Sequence, residues 1–273
     1  MLLIFDIGNT NITIGLYKNP NVPLCNKILR LTTDKKAGLN KYAKELSTIL
    51  VKNNIDAKNI TSVAIASVVP ELDSVFAKLS KNIFKCGAYF VSYTKSKGLL
   101  KYKYPKPQEI GADRIANAVA GYKLCGGPLI VVDFGTATTF DCISKDGKYM
   151  GGAIAPGPLL SLKALSISTS KLPVVVFSKS SKYIGKNTVE CMQSGIFFGY
   201  VGLIKGLIDG ISNEIGKNVK VIATGGLAVS VCKNISKISA IVPELTLEGI
   251  RLLWKKNTLP VNSVHKIVHK KLK

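Results

Sequence analysis

The sequence predicts a mixed α/β fold built from two copies of one domain. Its 273 residues suffice for one large domain or two modest ones. Apolar residues make up 47% and charged residues 20%, so the chain can bury a core and is not disordered throughout. One pattern, a buried strand followed by an Asp-x-Gly turn and a second strand, occurs twice, at Asp6-Ile7-Gly8 and at Asp133-Phe134-Gly135. An internal repeat of this length indicates duplicated α/β domains.

The first half of the chain starts with strands and continues with alternating strands and helices. The opening apolar run is interrupted by Asp6, and a Gly8-Asn9 turn signal follows it. Apolar residues at helical spacing predict an amphipathic helix over 41–52, and Pro70 ends a strand. The full prediction comprises strands over 1–7, 12–17, 27–32, 61–69 and 88–92, and helices over 41–52, 71–80 and 109–124.

The second half repeats this order. A buried strand ends in Asp133, a Gly135-Thr136 turn leads into a second strand, and Asp146-Gly147 is a hairpin signal. The remaining prediction comprises strands over 148–154 and 219–223 and helices near 158–168, 188–212, 227–234 and 246–254. We therefore expect a first domain over 1–118, a second over 119–254, and a Lys-rich, solvated tail over 255–273.

The chain is strongly basic but poor in arginine. Lys plus Arg is 38 against 16 Asp plus Glu, a formal net charge of +22, yet only Arg30, Arg114 and Arg251 are arginines. Proteins that read bases depend on the bidentate contacts of arginine. The composition therefore favours a lysine-rich surface that attracts anionic substrates, without specific nucleic-acid binding.

The cysteines and the apolar segments indicate the compartment. Six cysteines form no C-x-x-C pair, and no basic segment precedes the apolar N-terminus as in a secretory signal. Reduced thiols in the cytoplasm are expected. No run approaches 18 apolar residues, so we expect no membrane-spanning segment.

The first Asp-x-Gly motif suits a phosphate group and its metal ion. Asp6 lies at a strand end and could hold Mg²⁺ directly or through water. Gly8 lets backbone N–H groups approach a phosphate, and Asn9, Thr10 and Thr13 could add side-chain donors. The alternative is an ordinary hairpin, because Asx-Gly clusters form turns in many proteins.

The second copy favours the phosphate interpretation. Residues 133–141 place two carboxylates, Asp133 and Asp141, and three threonines around a pair of strands. Two such hairpins that face each other across an interdomain cleft would form a phosphate clamp.

A third motif, Gly111-Ala112-Asp113-Arg114, begins a helical pattern. Asp113 could accept the proton of an attacking hydroxyl, and Arg114 could clamp a carboxylate or a phosphate. The alternative is an Asp favoured by the helix dipole beside an arginine in a surface ion pair.

Small residues follow this motif directly. Ala116 and Ala120 are four residues apart and share one face of the predicted helix. Small side chains permit close helix approach, so this face could form a symmetric dimer interface or could pack on its own sheet.

Taken together, these motifs resemble those of the type III pantothenate kinases of bacteria, within the superfamily of acetate and sugar kinases, heat-shock chaperones and actin. The resemblance extends from residue 6 to about residue 250. The matching stretches are DIGNTNITIG (6–15), GADR (111–114), DFGTATTFD (133–141), GGAIAPG (151–157), KLP (171–173), GKNTVECMQSG (185–195), ATGG (223–226) and LTLEG (245–249).

The resemblance implies two ribonuclease-H-like domains, as in the actin-like ATPases, in a homodimer with pantothenate near the subunit interface. It further implies Asp113 as proton acceptor and Asp133 as ligand of a monovalent cation, K⁺ or NH₄⁺, needed beside Mg²⁺. Tyr102 lies two residues from the implied substrate residue Tyr104 and is an alternative to it. ATP would be held by Asp6, Ile7, Gly8, Asn9, Thr10, Asn11, Ile12, Thr13 and Thr136, and pantothenate by Tyr104, Gly111, Ala112, Asp113, Arg114 and Thr188.

The implied activity is ATP-dependent phosphorylation of pantothenate to 4'-phosphopantothenate, the first step of coenzyme A biosynthesis. One alternative is another kinase of the superfamily that acts on a sugar or on acetate, but GADR and GKNT accompany the pantothenate branch. The other is a basic regulatory or nucleic-acid-binding protein, which the scarcity of arginine disfavours.

Overall fold

The computed structural model describes residues 1–216 and 218–258, and these form two compact units. Unit 1 consists of residues 1–99, 106–120 and 246–258, and unit 2 consists of residues 100–105 and 121–245. The helices are α1 (Leu39–Lys52), α2 (Pro70–Phe84), α3 (Tyr93–Ser96), α4 (Ala112–Cys125), α5 (Pro158–Ser168), α6 (Thr188–Ile215), α7 (Ala228–Cys232) and α8 (Leu245–Thr258).

Unit 1 contains a five-stranded sheet. Its strands are β1 (Leu2–Ile7), β2 (Asn11–Tyr17), β3 (Lys27–Thr32), β4 (Ser62–Ser67) and β5 (Ala88–Phe90), in the order β3-β2-β1-β4-β5. The first three strands form an antiparallel meander, and β4 and β5 run parallel to β1. The sheet packs against the apolar faces of α1 and α2 in one hydrophobic core.

Unit 2 contains a six-stranded sheet with the same arrangement. Its strands are β6 (Lys101–Tyr102), β7 (Leu129–Phe134), β8 (Ala137–Ile143), β9 (Lys148–Pro156), β10 (Lys220–Thr224) and β11 (Ala240–Ile241). The order is β11-β10-β7-β8-β9-β6. Read from β9 to β11, it repeats the order and the strand directions of unit 1, with β6 added at one edge. This repetition confirms the predicted duplication.

Both copies place their aspartate at the same point of the sheet. Asp6 is the second-last residue of β1 and lies opposite Thr13 of β2. Asp133 is the second-last residue of β7 and lies opposite Thr139 of β8. The sequence repeat therefore corresponds to a structural repeat with matching register.

The division of the chain departs from the predicted one in three places, the smallest being the boundary within α4, which falls after residue 120 instead of residue 118. Residues 100–105 group with unit 2, because β6 pairs with β9. Helix α8 groups with unit 1 from Thr246 onward. There the buried Arg251 pairs with Glu248 and donates to the carbonyl of Pro20 at 2.5 Å.

The small-residue face of α4 is buried within the chain. Ala116 and Ala120 are 0% and 3% exposed, and a side chain at Gly249 of α8 would overlap the carbonyl oxygen of Ala116. The expectation that this face forms a dimer interface is therefore wrong, because α8 covers it. The sequence could not show this, since α8 follows more than 100 residues later.

Helix α6 departs from the expectation that no segment reaches the length of a membrane span. Its 28 residues are long and apolar enough to cross a bilayer by length and composition alone. One such helix is weak evidence of a membrane protein, because core helices of soluble domains meet the same criterion. One face of α6, including Phe197, Ile204 and Ile208, packs on the sheet of unit 2.

The predicted tail lies mostly outside the described residues. Residues 255–258 form the end of α8, and residues 259–273, with His265 and His269, are not described.

Candidate active site

The first hairpin is closed by backbone hydrogen bonds. The N–H of Gly8 donates to the carbonyl of Asn11 at 3.0 Å, and a Cβ at Gly8 would lie 3.1 Å from that oxygen. Thr33, just after β3, donates its hydroxyl to the carbonyl of Gly8 at 2.7 Å and its N–H to the carbonyl of Thr10. The loop is thus fixed from two sides.

The side chains of this hairpin divide between solvent and core. Asn9, Thr10 and Asn11 are exposed, where they could meet a phosphate. Ile7 and Ile12 are 0% exposed, so only their backbone atoms could contact a nucleotide. The predicted ATP-binding set therefore contains two residues whose side chains belong to the core.

The second hairpin is one residue shorter and is braced by a neighbouring glycine. The N–H of Gly135 donates to the carbonyl of Ala137 at 3.2 Å, and Thr136 is exposed at the turn. Gly157 donates to the carbonyl of Thr136 at 3.1 Å, and a Cβ there would lie 2.5 Å from that oxygen. Only glycine permits this approach between the end of β9 and the turn.

A second glycine approaches the carboxylate of Asp133. Gly225 follows β10 with φ +92°, and a Cβ on it would lie 2.5 Å from Oδ1 of Asp133 and 2.6 Å from the nitrogen of Phe134. Sequence reasoning did not assign Gly225 to the site. The available signal was a glycine pair directly after a predicted strand.

The two units differ at this position. In unit 1 the residues that follow β4 are Val68 and Val69, and the N–H of Val68 donates to the carbonyl of Ile7 at 3.0 Å. In unit 2 they are Gly225 and Gly226. Because glycine has no side chain, the backbone at Gly225 can lie directly against Asp133, whereas valine occupies the corresponding position of unit 1.

The carboxylate of Asp113 bends back over the start of α4. Its Oδ1 accepts the N–H of Arg114 at 2.7 Å, and a Cβ on Gly111 would lie 2.5 Å from it. Burial raises the pKa of Asp113 above its usual value of 3.8, and the bond from the Arg114 N–H and the charge of Arg114 partly oppose the rise. A raised pKa makes this carboxylate a better proton acceptor than an exposed one.

The predicted substrate tyrosine lies in an aromatic cluster of unit 2. The half-buried rings of Tyr104 and Tyr102 each lie 6.0 Å from the ring of Tyr149, at 84° and 42° respectively. Tyr104 also lies over Gly151, whose Cβ position is 3.5 Å from its ring. Tyr102 and Tyr104, the two candidates for the substrate tyrosine, thus lie in one aromatic cluster.

Thr188 is the exposed first residue of α6. Asn187 caps the helix by accepting the N–H of Glu190 at 2.9 Å, and Glu190 in turn accepts the N–H of Lys186. A side chain at Gly185 would overlap the backbone of Cys191, so the turn before the helix requires glycine. These contacts fix Thr188 at a helix N-terminus, where anions are favoured.

The predicted site residues divide between the units. Unit 1 carries the hairpin from Asp6 to Thr13 and the segment from Gly111 to Arg114. Unit 2 carries Tyr104, Asp133, Thr136 and Thr188.

The duplicated sheet order and the two Asp-x-Gly hairpins define the class of the protein. They are features of the ribonuclease-H-like fold of actin-like ATPases and sugar kinases. Among solved structures, component A of (R)-2-hydroxyglutaryl-CoA dehydratase from Acidaminococcus fermentans is similar, with a TM-score of 0.51, 13% identity and coverage of 92% of this chain and 94% of that one. A Campylobacter jejuni protein that bears the name Baf family transcriptional activator gives a TM-score of 0.58 at 19% identity, over 93% of this chain and 98% of that one. At these identities the likeness concerns the fold alone.

Sequence comparison identifies the family. The model of the type III pantothenate kinase family matches residues 2–210. A type III pantothenate kinase from Endomicrobium trichonymphae is 48% identical over 259 residues, which cover 94% of this chain and 99% of that protein. The chain belongs to the type III pantothenate kinase family, so the predicted resemblance is confirmed.

Proposed function

We propose that this enzyme transfers the γ-phosphoryl group of ATP to the primary hydroxyl of pantothenate, in coenzyme A biosynthesis. The observation that carries the proposal is the family match over residues 2–210. The matched residues include both hairpins, Asp113 and Thr188, which are the groups proposed to bind the substrates and to catalyse the transfer.

ATP would be bound chiefly by backbone groups and short polar side chains. Asp6, Gly8, Asn9, Thr10, Asn11 and Thr13 supply these in unit 1, with the backbone of Ile7 and Ile12, and Thr136 supplies a hydroxyl in unit 2. Backbone N–H groups in a tight turn suit phosphate oxygens. We add Gly225, because any side chain there would meet the carboxylate beside the second hairpin.

Asp113 would act as the catalytic base. It would accept the proton of the pantothenate hydroxyl as that oxygen attacks the γ-phosphorus in line. Positioning and charge neutralisation supply most of the rate in such transfers, so the fixed place of Asp113 over Gly111 matters as much as its basicity.

Pantothenate would contact Tyr104 or Tyr102, the Gly111–Arg114 segment and Thr188. The ligand carries a carboxylate, for which the guanidinium fork of Arg114 and a helix N-terminus are suitable partners. We propose that Thr188 contributes to the pantothenate pocket of the partner chain in a dimer.

Two kinds of cation fit the oxygen ligands of the hairpins. No cluster of three His, Cys, Asp or Glu side chains exists among residues 1–216 and 218–258, so a soft metal site is not formed there. Mg²⁺ needs only one or two carboxylates plus phosphate oxygens and water, which suits Asp6. Oγ1 of Thr139, opposite Asp133, is buried and makes no hydrogen bond within the described chain, so this oxygen and Asp133 suit K⁺ or NH₄⁺. These cations would supply positive charge beside the phosphates.

We further propose a homodimer formed through α6. Five glycines along this helix have nothing within 4 Å of their Cβ positions, and they share one exposed stripe at spacings of three and four residues. Large apolar side chains of unit 2 between residues 159 and 203 are also exposed, and a second copy of the chain would cover them. The glycines are Gly195, Gly199, Gly202, Gly206 and Gly210, and the apolar residues are Leu159, Leu160, Ile167, Val174, Val176, Tyr183, Ile184, Val189 and Leu203.

We place the enzyme in the cytoplasm, without a membrane or a specific nucleic acid as partner. All six cysteines are free thiols, and the apolar side of α6 is used in the core of unit 2. Nucleic-acid binding of a lysine-rich surface should disappear as salt is raised.

One assay tests the proposed reaction. Purified protein is incubated with ATP, Mg²⁺ and K⁺, with and without pantothenate, and ADP release is followed together with formation of 4'-phosphopantothenate. We expect ADP release that depends on pantothenate. Equal release without pantothenate, or release with acetate or a sugar only, would contradict the proposal.

A further inference from the structure

A carboxylate is buried in the core of unit 2 beside the aromatic cluster. Asp141 is 0% exposed, and its Oδ1 accepts the hydroxyl of Tyr149 at 2.6 Å. Tyr149 is also 0% exposed. Burying a carboxylate costs folding free energy even when it is hydrogen-bonded, and an apolar side chain would fill the same space without that cost. Stability alone therefore gives no reason for an aspartate here.

The backbone around Tyr149 connects this pair to Tyr104. Strand β6 pairs with β9, with Tyr102 opposite Tyr149, and the N–H of Lys103 donates to the carbonyl of Tyr149 at 2.9 Å. The register of β8 and β9 shifts between Cys142 and Ile143, which face Gly151 and Tyr149. Gly151 has φ +118°, a conformation that favours glycine.

The ring of Tyr149 lies next to the rings of both Tyr102 and Tyr104. The edge of one ring meets the face of the other in the pair with Tyr104, which is a favourable arrangement. The hydroxyl bond to Asp141 ties the end of the Tyr149 side chain to β8. This bond restricts displacement of the ring against which Tyr104 packs.

We propose that Asp141 and Tyr149 are positioning residues that hold Tyr104 in place as a contact for pantothenate. The inference rests on the proposed function, in which Tyr104 binds the substrate. Asp141 also follows Thr139 by two residues on β8, and Thr139 lies opposite Asp133. One face of the sheet thus carries a polar row from the proposed cation site to the proposed substrate tyrosine.

Steady-state kinetics of three single variants test the proposal. Tyr149→Phe keeps the ring and loses the bond, and we expect KM for pantothenate to rise about tenfold, in keeping with the loss of one hydrogen bond. Asp141→Leu should give the same rise. Asp141→Asn retains an acceptor oxygen, so it should keep KM for pantothenate within about threefold of the wild type. KM for ATP should stay unchanged in all three variants. A merely structural role would alter both KM values, so KM for ATP separates the two explanations.

Controls keep the outcomes separate. Tyr122→Phe removes another hydroxyl of unit 2, which donates to the carbonyl of Lys145 at 3.4 Å, and should change neither KM. If a single variant fails to fold, the double variant Tyr149→Phe/Asp141→Leu removes both partners and leaves no unpaired carboxylate. It should also show the raised KM for pantothenate.

The overturning results are distinct. Unchanged KM for pantothenate in the Tyr149 and Asp141 variants, while Tyr104→Ala raises it, would overturn this inference and spare the proposed function. An equal rise of both KM values would also overturn it. A wild-type enzyme that does not phosphorylate pantothenate would defeat the proposed function itself.

Discussion

Gly225 lies directly against the carboxylate of Asp133, so closely that a methyl group on Gly225 would stand 2.5 Å from Oδ1. The same methyl group would lie 2.6 Å from the nitrogen of Phe134, an atom that cannot move without disturbing β7. Two segments nearly 100 residues apart in sequence therefore meet at the second hairpin. Their contact gives the first prediction.

Gly225→Ala should impair the use of ATP. The new Cβ would displace Asp133 or the loop, and a misplacement of about 1 Å near the reacting groups costs about 100-fold in rate. We expect kcat/KM for ATP to fall by about that factor. Gly226→Ala is the matched control, because nothing lies within 4 Å of its Cβ position. Equal activity of both variants would contradict the assignment of Gly225 to the site.

Asp113→Asn should abolish most of the turnover while ATP binding persists. The amide keeps the shape of the side chain but cannot accept a proton, and loss of a general base costs roughly 100- to 10,000-fold. Single-turnover kinetics and ATP titration measure the two properties. Glu109→Gln, which alters an exposed carboxylate four residues earlier, is the control. Near-normal turnover by the Asp113 variant would remove this residue as the base.

The same variant should be more stable than the wild type at neutral pH. Burial raises the pKa of Asp113, so the unfolded chain releases this proton more readily than the folded one. Stability is therefore lost as pH rises from the usual value of 3.8 through the raised pKa, and Asp113→Asn avoids that loss.

Thermal unfolding of both proteins between pH 3.8 and neutral pH tests whether the variant is the more stable one. The gain of Asp113→Asn should shrink as the pH falls toward 3.8. Asp34→Asn should instead be less stable than the wild type at neutral pH. The hydrogen bond from Lys41 lowers the pKa of Asp34, so the stability that this pair contributes is present above pH 3.8 and is lost as the pH falls through the lowered pKa. An Asp113 variant that is less stable than the wild type at neutral pH would refute the argument.

Activity should depend on K⁺ or NH₄⁺ and should be poor in Na⁺ alone. Thr139→Val removes the unbonded Oγ1 opposite Asp133, so this variant should need more K⁺ for half-maximal activity. Thr169→Val, at the end of α5, alters a hydroxyl that is bonded to Leu165 and serves as control. Full activity in Na⁺, with no response to K⁺, would exclude a monovalent cation site.

Gly202→Glu should split the proposed dimer. A charged side chain in the middle of the α6 stripe cannot be buried against a second copy without a large cost. Sedimentation should report a monomer with reduced activity, since Thr188 of the same helix is proposed to act on the partner. Gly38→Glu, at an exposed glycine of unit 1, should leave the mass unchanged. A fully active monomer would contradict the proposal.

Sequence patterns predicted the longer elements, most clearly where a helix has one apolar face, as in α1, or where a strand is a continuous apolar run, as in β7. Helix α5 occupies the predicted residues 158–168, and β3 the predicted residues 27–32. Strands β6 and β11 were missed, because two residues carry no periodicity and depend on a neighbouring strand.

Residues of the candidate site could be proposed from the sequence where a motif is local, but contacts that depend on packing could not. Asp6 and Asp133 stand out because the same motif occurs twice. Gly225 approaches Asp133 only through the order of strands in the sheet, and the environment of Ala116 depends on α8. The local pattern shows a glycine pair after a strand at Gly225, but it does not show which residue lies against that pair.

The late position of α8 has a consequence for synthesis on the ribosome. This helix supplies the buried Arg251 and the glycine that meets Ala116, both within unit 1. Every strand of unit 1 precedes residue 91, yet the unit lacks its last helix until residue 258 has been translated. All described elements of unit 2 have by then left the exit tunnel or entered it. The half that begins first is therefore completed last, and a nascent chain released early would leave the face of α4 around Ala116 uncovered and open to chaperones.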